Sequence, residues 1–422
     1  MNWYIIVLAA LFLLLGSVAV YHEMRSLPEG LSYTGEVHYL QEEDVTFLLD
    51  RTYMQDGEQV REHEIIDYVT DTIRDAEEYV LADLFLFNPY GAQEHHRPLT
   101  QEVTQALLDT QADAYLVTDP INTVYDGLRA PHIETLRNSD VHVTITDHNA
   151  LRDANLLYVP IYRTFFSWTG NNPDRGWLPN VFGEEKITLR SYWHLLTFRA
   201  NHRKVVVADS EDDVVTIIST GNPHDASSHH TNMAVAIKGP LAHDVWRTER
   251  PLADIPPPPQ STTRPPSDIT AQLVTEGAIK QALLRELNNT TRGDTVQVGA
   301  FYLSEKHVIQ ALIDAHERGV TVHVILDPNK DSFGIEKDGV PNKQSARKLA
   351  RAGVTVRWFD THGEQFHTKM VAIHKQDGTS VLIIGSANFT RRNLDDYNLE
   401  TNAVARSCIS VANSSTRLLS QL

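Results

Sequence analysis

His202-Arg203-Lys204-Val205-Val206-Val207-Ala208-Asp209 and His367-Thr368-Lys369-Met370-Val371-Ala372-Ile373-His374 are two similar runs in one chain. Each opens with a His-x-Lys triplet, and these are the only two such triplets in the sequence. One is expected by chance in a chain with 20 His, so either alone says little. The flanks add the weight. Asn222 lies 20 residues and Asn232 30 residues beyond His202, while Asn388 lies 21 and Asn398 31 beyond His367. Two copies with matched downstream spacing predict a duplicated site.

The regions around the two runs repeat an order of elements as well. In the second half, a helix from about Ile269 to Asn288 leads to a strand over Val296–Leu303. A helix over Lys306–Arg318 leads to a strand over Val320–Asp327, and a helix over Lys343–Ala352 to a strand over Val354–Phe359. In the first half, helices near Glu62–Glu77, Thr100–Thr110 and Pro131–Asn138 precede strands over Tyr79–Phe87, Ala114–Asp119 and Val141–Ile145. Strands alternating with helices predict α/β layers. An Asp-Pro pair ends corresponding strands at Asp119 and Asp327, a second internal match. The junction is Ile255–Pro266, whose prolines suit an extended spacer. The expected domains are an anchor at 1–22, a first half at 23–254, a linker at 255–267 and a second half at 268–422. The halves differ by an insertion at 147–193, rich in aromatic residues. Leu156, Leu157, Tyr158, Tyr162, Phe165, Phe166, Trp168, Trp177 and Trp193 there suit either a lipid interface or packing over a core edge.

Bulk properties narrow the function. The chain has 422 residues, 41% hydrophobic and 22% charged, a composition that supports a large globular core. Its net charge of −18 argues against general binding to nucleic acid, which needs clustered Lys and Arg. The single cysteine, Cys408, forbids an internal disulfide and a multi-thiolate metal site. Trp3–Tyr21 carries no acidic or basic residue, and 19 helical residues reach about 28 Å, close to a bilayer core. With aromatics at both ends and no basic residue before it, the run reads as a retained membrane anchor rather than a cleaved leader. The side of the membrane is not specified, since Arg25 is the only nearby basic residue.

Two imidazoles and two ammonium groups supply what transfer at phosphorus requires without a metal or another cofactor. One neutral His attacks and the other, protonated, gives its proton to the leaving alcohol. Lys204 and Lys369 place positive charge at the non-bridging oxygens, and the amides of Asn222 and Asn388 donate there. Strand alternation puts each His on the same face as its Lys.

The doubled His-x-Lys pattern resembles the phospholipase D superfamily, the HKD family, over roughly residues 60–420. The anchor and the phrases Asn201-His202-Arg203-Lys204 and Gly221–Ser228 are similar to cardiolipin synthase-like, membrane-anchored bacterial members. The resemblance implies two mixed α/β halves, each a sheet flanked by helices, related by a pseudo-twofold axis and sharing one active site. It implies phosphodiester hydrolysis or phosphatidyl transfer on glycerophospholipids through a phosphohistidine, by a chain that works as a monomer because it holds both half-sites. A nuclease of the same family and a catalytically reduced lipid-binding module are the alternatives. The implied catalytic set is His202, Lys204, Asn222, His367, Lys369, Asn388 and Glu400, supported by Asp209, Ser386, Asn232 and Asn398. Within that set Glu400 is expected to orient His202 across the interface, which makes His202 the nucleophile and His367 the acid and base. Three positions depart from the pattern. His374 stands where the second motif's Asp belongs, Thr220-Gly221 replaces Gly-Ser in the first half, and Ala234 stands opposite Glu400. His229 and His230 read as solvated loop residues, as do His95, His96 and the Asp212-Asp213 pair. Lys343, Arg347, Lys348 and Arg351 read as a solvated helix face.

Overall fold

The computed structural model describes residues 3–211, 213–332, 335–336 and 338–407; Asp212 and Cys408 lie outside these. Strand signals built on Val, Ile and Ala produce two eight-stranded mixed sheets. In spatial order the first runs Glu58–His63, Val45–Gln55, Asn232–Lys238, Val214–Ser219, Lys204–Asp209, Tyr79–Leu84, Asp113–Thr118 and His142–Ile145. The second runs His38–Leu40, Ile269–Thr275, Thr401–Ser407, Ser380–Gly385, Lys369–His374, Thr295–Ala300, Thr321–Leu326 and Thr355–Trp358. The two orders correspond strand for strand. In both, the strand that begins at the motif Lys is central, antiparallel to its neighbours on either side.

Alternation along these central strands explains the layers. Val205 and Val207 point into a core between the two sheets, where they join Met233, Met370, Ala372, Leu382 and Ile384. Val206 and Ala208 point the other way, onto helices Glu64–Asp75 and Leu99–Asp109. Val371 and Ile373 likewise face helices Gly277–Asn288 and Lys306–Glu317. Burial on both faces is why these strands read as continuous apolar runs.

Several sequence expectations are adjusted. Ile269–Thr275 is a strand rather than the start of a helix, because its alternating residues pair with Thr401–Ser407; the helix begins at Gly277. The hairpin Val45–Gln55 and Glu58–His63 was not expected. Residues His38–Leu40, expected within the first half, add an edge strand to the second half's sheet. The Pro-rich segment is pinned through Arg264, which pairs with Asp44 at 2.7 Å and Asp213 at 3.1 Å, so Asp213 is a buried ion-pair partner and not a surface residue. In the insertion, Tyr162 is fully buried and Phe166 packs on Trp193, whereas Leu157, Trp168 and Trp177 face outward. The basic face of helix Asn342–Arg351 is solvated, as expected.

Candidate active site

Neither motif histidine lies inside a strand, contrary to the expectation from alternation. Each strand opens at its Lys, and the residues just before it pair with the opposite half instead. The His202 N–H donates to Leu399 O, and the His367 N–H donates to Thr231 O, both at 2.9 Å. The two Asp-Pro carboxylates fix these crossing segments. Asp119 accepts from the Asn201 N–H and Asp327 from the Phe366 N–H, each at 2.7 Å and each one residue before the histidine.

The side chains cross in the same manner. His202 Nδ1 meets Glu400 Oε2 at 2.9 Å, and His367 Nδ1 meets Asn232 Oδ1 at 2.9 Å. Ser386 donates its hydroxyl to Glu400, and Thr220 donates to Asn232 at 3.3 Å. Thr220 therefore does the work of Ser386 despite the displaced glycine. At Gly385 a side chain is excluded, since a Cβ there would lie 2.3 Å from Thr401 O. Lys204 Nζ donates to His202 O at 2.7 Å, and Lys369 Nζ to His367 O at 2.8 Å. Both ammonium groups are buried beneath the histidines.

Several contributors escaped the sequence reading. Phe85 and Phe301 pack on His202 and His367 with ring centroids 4.6 and 4.8 Å apart, and each also faces its half's Lys. Asn393 donates to Glu400. His230, expected in solvent, is buried and accepts from the Gln365 N–H through Nδ1, with its ring 6.1 Å from that of His367; it is Asn232, not His230, that bonds His367. His229 is half-buried against His96, with ring centroids 4.6 Å apart.

Electrostatics follow from burial. Burial pushes His202 down to about 4; Glu400 pulls upward and Lys204 adds to the fall. Burial also opposes charge on Glu400, but His202 and Lys204 outweigh it and hold the carboxyl below its usual range. The pair is consequently a neutral imidazole beside a carboxylate, with Nδ1–H towards Glu400 and Nε2 bare. His367 lies well below its ordinary value through burial and the nearby Lys369. Burial brings Lys204 to about 7 and Lys369 well below its ordinary value, with Lys204 adding to the latter. A bound phosphodiester would oppose all these shifts, because its negative charge favours the cationic forms.

His202 and His367 open onto one cavity of about 820 Å³ that both halves line. Asn222, Asn388 and Asn398 line it too, and their buried side-chain oxygens have no partner among the described residues. Asp209 and His374 lie at the far ends of their strands, five residues or about 17 Å from the Lys. Asp209 accepts from the Glu77, Glu78 and Tyr79 N–H groups. In the second half Asp294, from the neighbouring loop, accepts from the Thr291 and Gln376 N–H groups, while His374 meets Ser380 and Gln297. The missing Asp is thus a matter of strand-end structure. Among the described residues no group of three or more His, Cys, Asp or Glu is placed to hold a metal ion.

With two crossed His-x-Lys sites on paired sheets, comparison with known proteins becomes informative. A family model described as cardiolipin synthase, PLD-like domain, matches residues 283–419. Over those residues, about a third of the chain, the protein is similar to the phospholipase D superfamily. Among solved structures, the chain is similar to phosphatidylserine synthase of Haemophilus influenzae Rd KW20, with a TM-score of 0.58 and 9% identity over 93% of this chain and 89% of that one. At that identity the likeness is one of fold. A polyphosphate kinase from Porphyromonas gingivalis matches with a TM-score of 0.46 and 16% identity over 85% of this chain; the chain spans 44% of that kinase's length. A phospholipase D family member, Nuc, from Salmonella typhimurium matches with a TM-score of 0.29 and 21% identity over 35% of this chain and 90% of that one. No curated protein matches the sequence.

Proposed function

We propose that this protein is a membrane-anchored phospholipase D-type phosphodiesterase or phosphatidyltransferase of the cardiolipin synthase kind, acting on glycerophospholipids through a phosphohistidine. The observation that carries the reading is the crossed pair His202–Glu400 and His367–Asn232, which gives two imidazoles different partners at one cavity. The family model's description and the N-terminal helix Trp3–Met24, with mean hydropathy 2.5 over 18 residues and no fully buried residue, support a lipid substrate and an anchor.

In the first step His202 Nε2 attacks phosphorus, and Glu400 stabilises the imidazolium that forms. The bond to the leaving alcohol breaks as His367 Nε2 gives it a proton. Asn232 offers His367 only an amide dipole, so its imidazolium is not trapped by a carboxylate and gives up its proton readily. Lys204 and Lys369 put charge below the phosphoryl oxygens, and the amides of Asn222 and Asn388 donate from the cavity wall. In the second step water or an acceptor alcohol loses a proton to His367 and displaces His202. No step calls for a cofactor.

The test is product analysis with phosphatidylglycerol, phosphatidylcholine and single-stranded DNA, with and without EDTA. Headgroup release or cardiolipin formation that survives EDTA is the expected result. Cleavage of DNA alone would replace the lipid reading with a nuclease, and inactivity on all three would leave a lipid-binding module.

A further inference from the structure

The insertion between the two parts of the first half's sheet exposes more apolar surface than a water-facing loop requires. Outside the N-terminal helix, fifteen large apolar residues are exposed among those described, and ten fall within residues 156–198. Leu157 is 89% exposed, Trp168 75% and Trp177 65%. A cluster of this kind marks an interaction surface. Its position relative to the N-terminal helix identifies the occupant.

Helix Trp3–Met24 is 22 residues long, about 33 Å. Its last turns pack against helix Val159–Phe165 of the insertion. The exit from the helix is tied to the body on several sides. Arg25 donates to Asn149 O and Leu151 O at 2.5 and 2.6 Å, and Arg152 donates to Glu23 O. Glu23 in turn accepts from the Tyr397 hydroxyl and from Arg391, both on the cavity wall. The helix is therefore not on a slack tether. If it spans a bilayer, helix Val159–Phe165 and the apolar cluster beside it meet the leaflet that the helix leaves.

We propose that residues 156–198 form a docking face that sits in the headgroup and upper acyl region of that leaflet, so that the catalytic cavity opens onto the bilayer and a lipid enters from the side. The proposal rests on the glycerophospholipid reading above for its substrate. Val181 and Phe198 are exposed and also line the cavity, so the apolar surface continues into the mouth. The face is not basic. Its exposed charges nearly balance, Asp174, Glu184 and Glu185 against Arg175 and Lys186, and the chain carries a net charge of −18. Contact is thus driven by apolar insertion of side chains with polar edges, such as Trp168 and Trp177, rather than by attraction to anionic lipid.

The experiment uses the full chain in vesicles of phosphatidylcholine and phosphatidylglycerol. In a Cys408→Ser background, fluorophores are placed at Leu157→Cys, Trp168→Cys and, as a remote control, Arg347→Cys. Nitroxide carried on the lipid acyl chain is expected to quench the first two several-fold more than the third, with little change on adding salt. Equal quenching of all three, or shielding of 157 and 168 by a second copy without lipid contact, would overturn the docking face. As a second arm, Leu157→Asp combined with Trp168→Asp is expected to lower turnover of vesicle phosphatidylglycerol at least tenfold while leaving turnover of a monomeric short-chain analogue unchanged. Equal loss on both substrates would count against the proposal. Labels that insert in a protein that turns over neither lipid would leave the face standing and remove the glycerophospholipid reading instead.

Discussion

Arg203, the residue between the motif His and Lys of the first half, is bound to Glu276 of the second at 2.7 Å, with both side chains fully buried. The same Glu276 oxygen accepts from the Glu400 N–H at 3.0 Å. One carboxylate thus joins the strand lead that holds His202 to the backbone of the acid that orients it. Arg203 is also held by Glu249 at 2.7 Å, so charge in this interior is shared among groups from both halves. Removing one partner from such a network is costly, of the order of 3–5 kcal/mol. Glu276→Gln keeps an acceptor for Glu400 but loses the charge. It is expected to lower kcat by roughly 10- to 100-fold, the worth of about 1–3 kcal/mol at a charged hydrogen bond. A KM unchanged within twofold would distinguish displaced chemistry from lost binding. Wild-type kcat in Glu276→Gln would show that His202 is positioned without this link.

Glu400 and Asn232 occupy equivalent places but are chemically unequal, and that inequality predicts unequal losses. Glu400→Gln leaves the developing His202 imidazolium without a counter-charge, so kcat should fall by about 10²- to 10⁴-fold. Asn232→Ala removes only a neutral acceptor, and a fall of about tenfold is expected. In the His367→Ala protein given bis(p-nitrophenyl) phosphate, whose leaving phenolate needs no proton, a phosphoenzyme should accumulate, detected by intact mass under alkaline quench. In His202→Ala none should form. The reverse pattern would exchange the two roles.

Much of this was legible in the sequence because duplication supplies its own control. The spacing from His202 to Asn222 and Asn232, repeated from His367, singled out residues of which Asn222, Asn388 and Asn398 line the cavity with the two histidines, while Asn232 bonds His367. The apolar runs that carry each Lys could only be strands buried on both faces. What escaped depends on contacts distant in sequence. Nothing local to Arg203 announces Glu276, 73 residues away, and nothing local to His230 shows that Gln365 will cover it. Ile269–Thr275 was misread because its apolar spacing fits a helix as well as a strand, and only its partner Thr401–Ser407 decides the matter. Phe85 and Phe301 follow directly on strands Tyr79–Leu84 and Thr295–Ala300, each read three residues too far, and their stacking on the histidines is visible only when the strand ends are brought together.

The unmatched motif position gives a prediction about stability rather than rate. Asp209 holds three consecutive N–H groups about 17 Å along the strand from Lys204. Asp209→Ala should lower Tm by several degrees, consistent with about 1–2 kcal/mol, and leave kcat within twofold. His374→Asp should raise neither, since Asp294 already accepts from the Gln376 N–H. A large kcat change in either variant would mean that the strand end communicates with the site.

The neutral state of His202 sets a pH dependence that can be isolated from the proton donor. With bis(p-nitrophenyl) phosphate the leaving phenolate needs no proton, so the first step in His367→Ala depends on His202 alone. Protonation removes the Nε2 lone pair, so the burst of p-nitrophenol should slow as pH falls. Because burial places His202 of the free protein at about 4 rather than 6.5, the second-order rate constant of the burst, measured below saturation, should stay level through pH 6.5 and drop only as pH approaches 4. Adding Glu400→Gln removes the group that raises His202, so the acid limb should move lower still while the burst itself slows. Stopped-flow absorbance across pH 3.5–8 reads both effects. An acid limb at 6.5 in His367→Ala would show an imidazole in contact with water and not one held dry between Phe85 and Glu400.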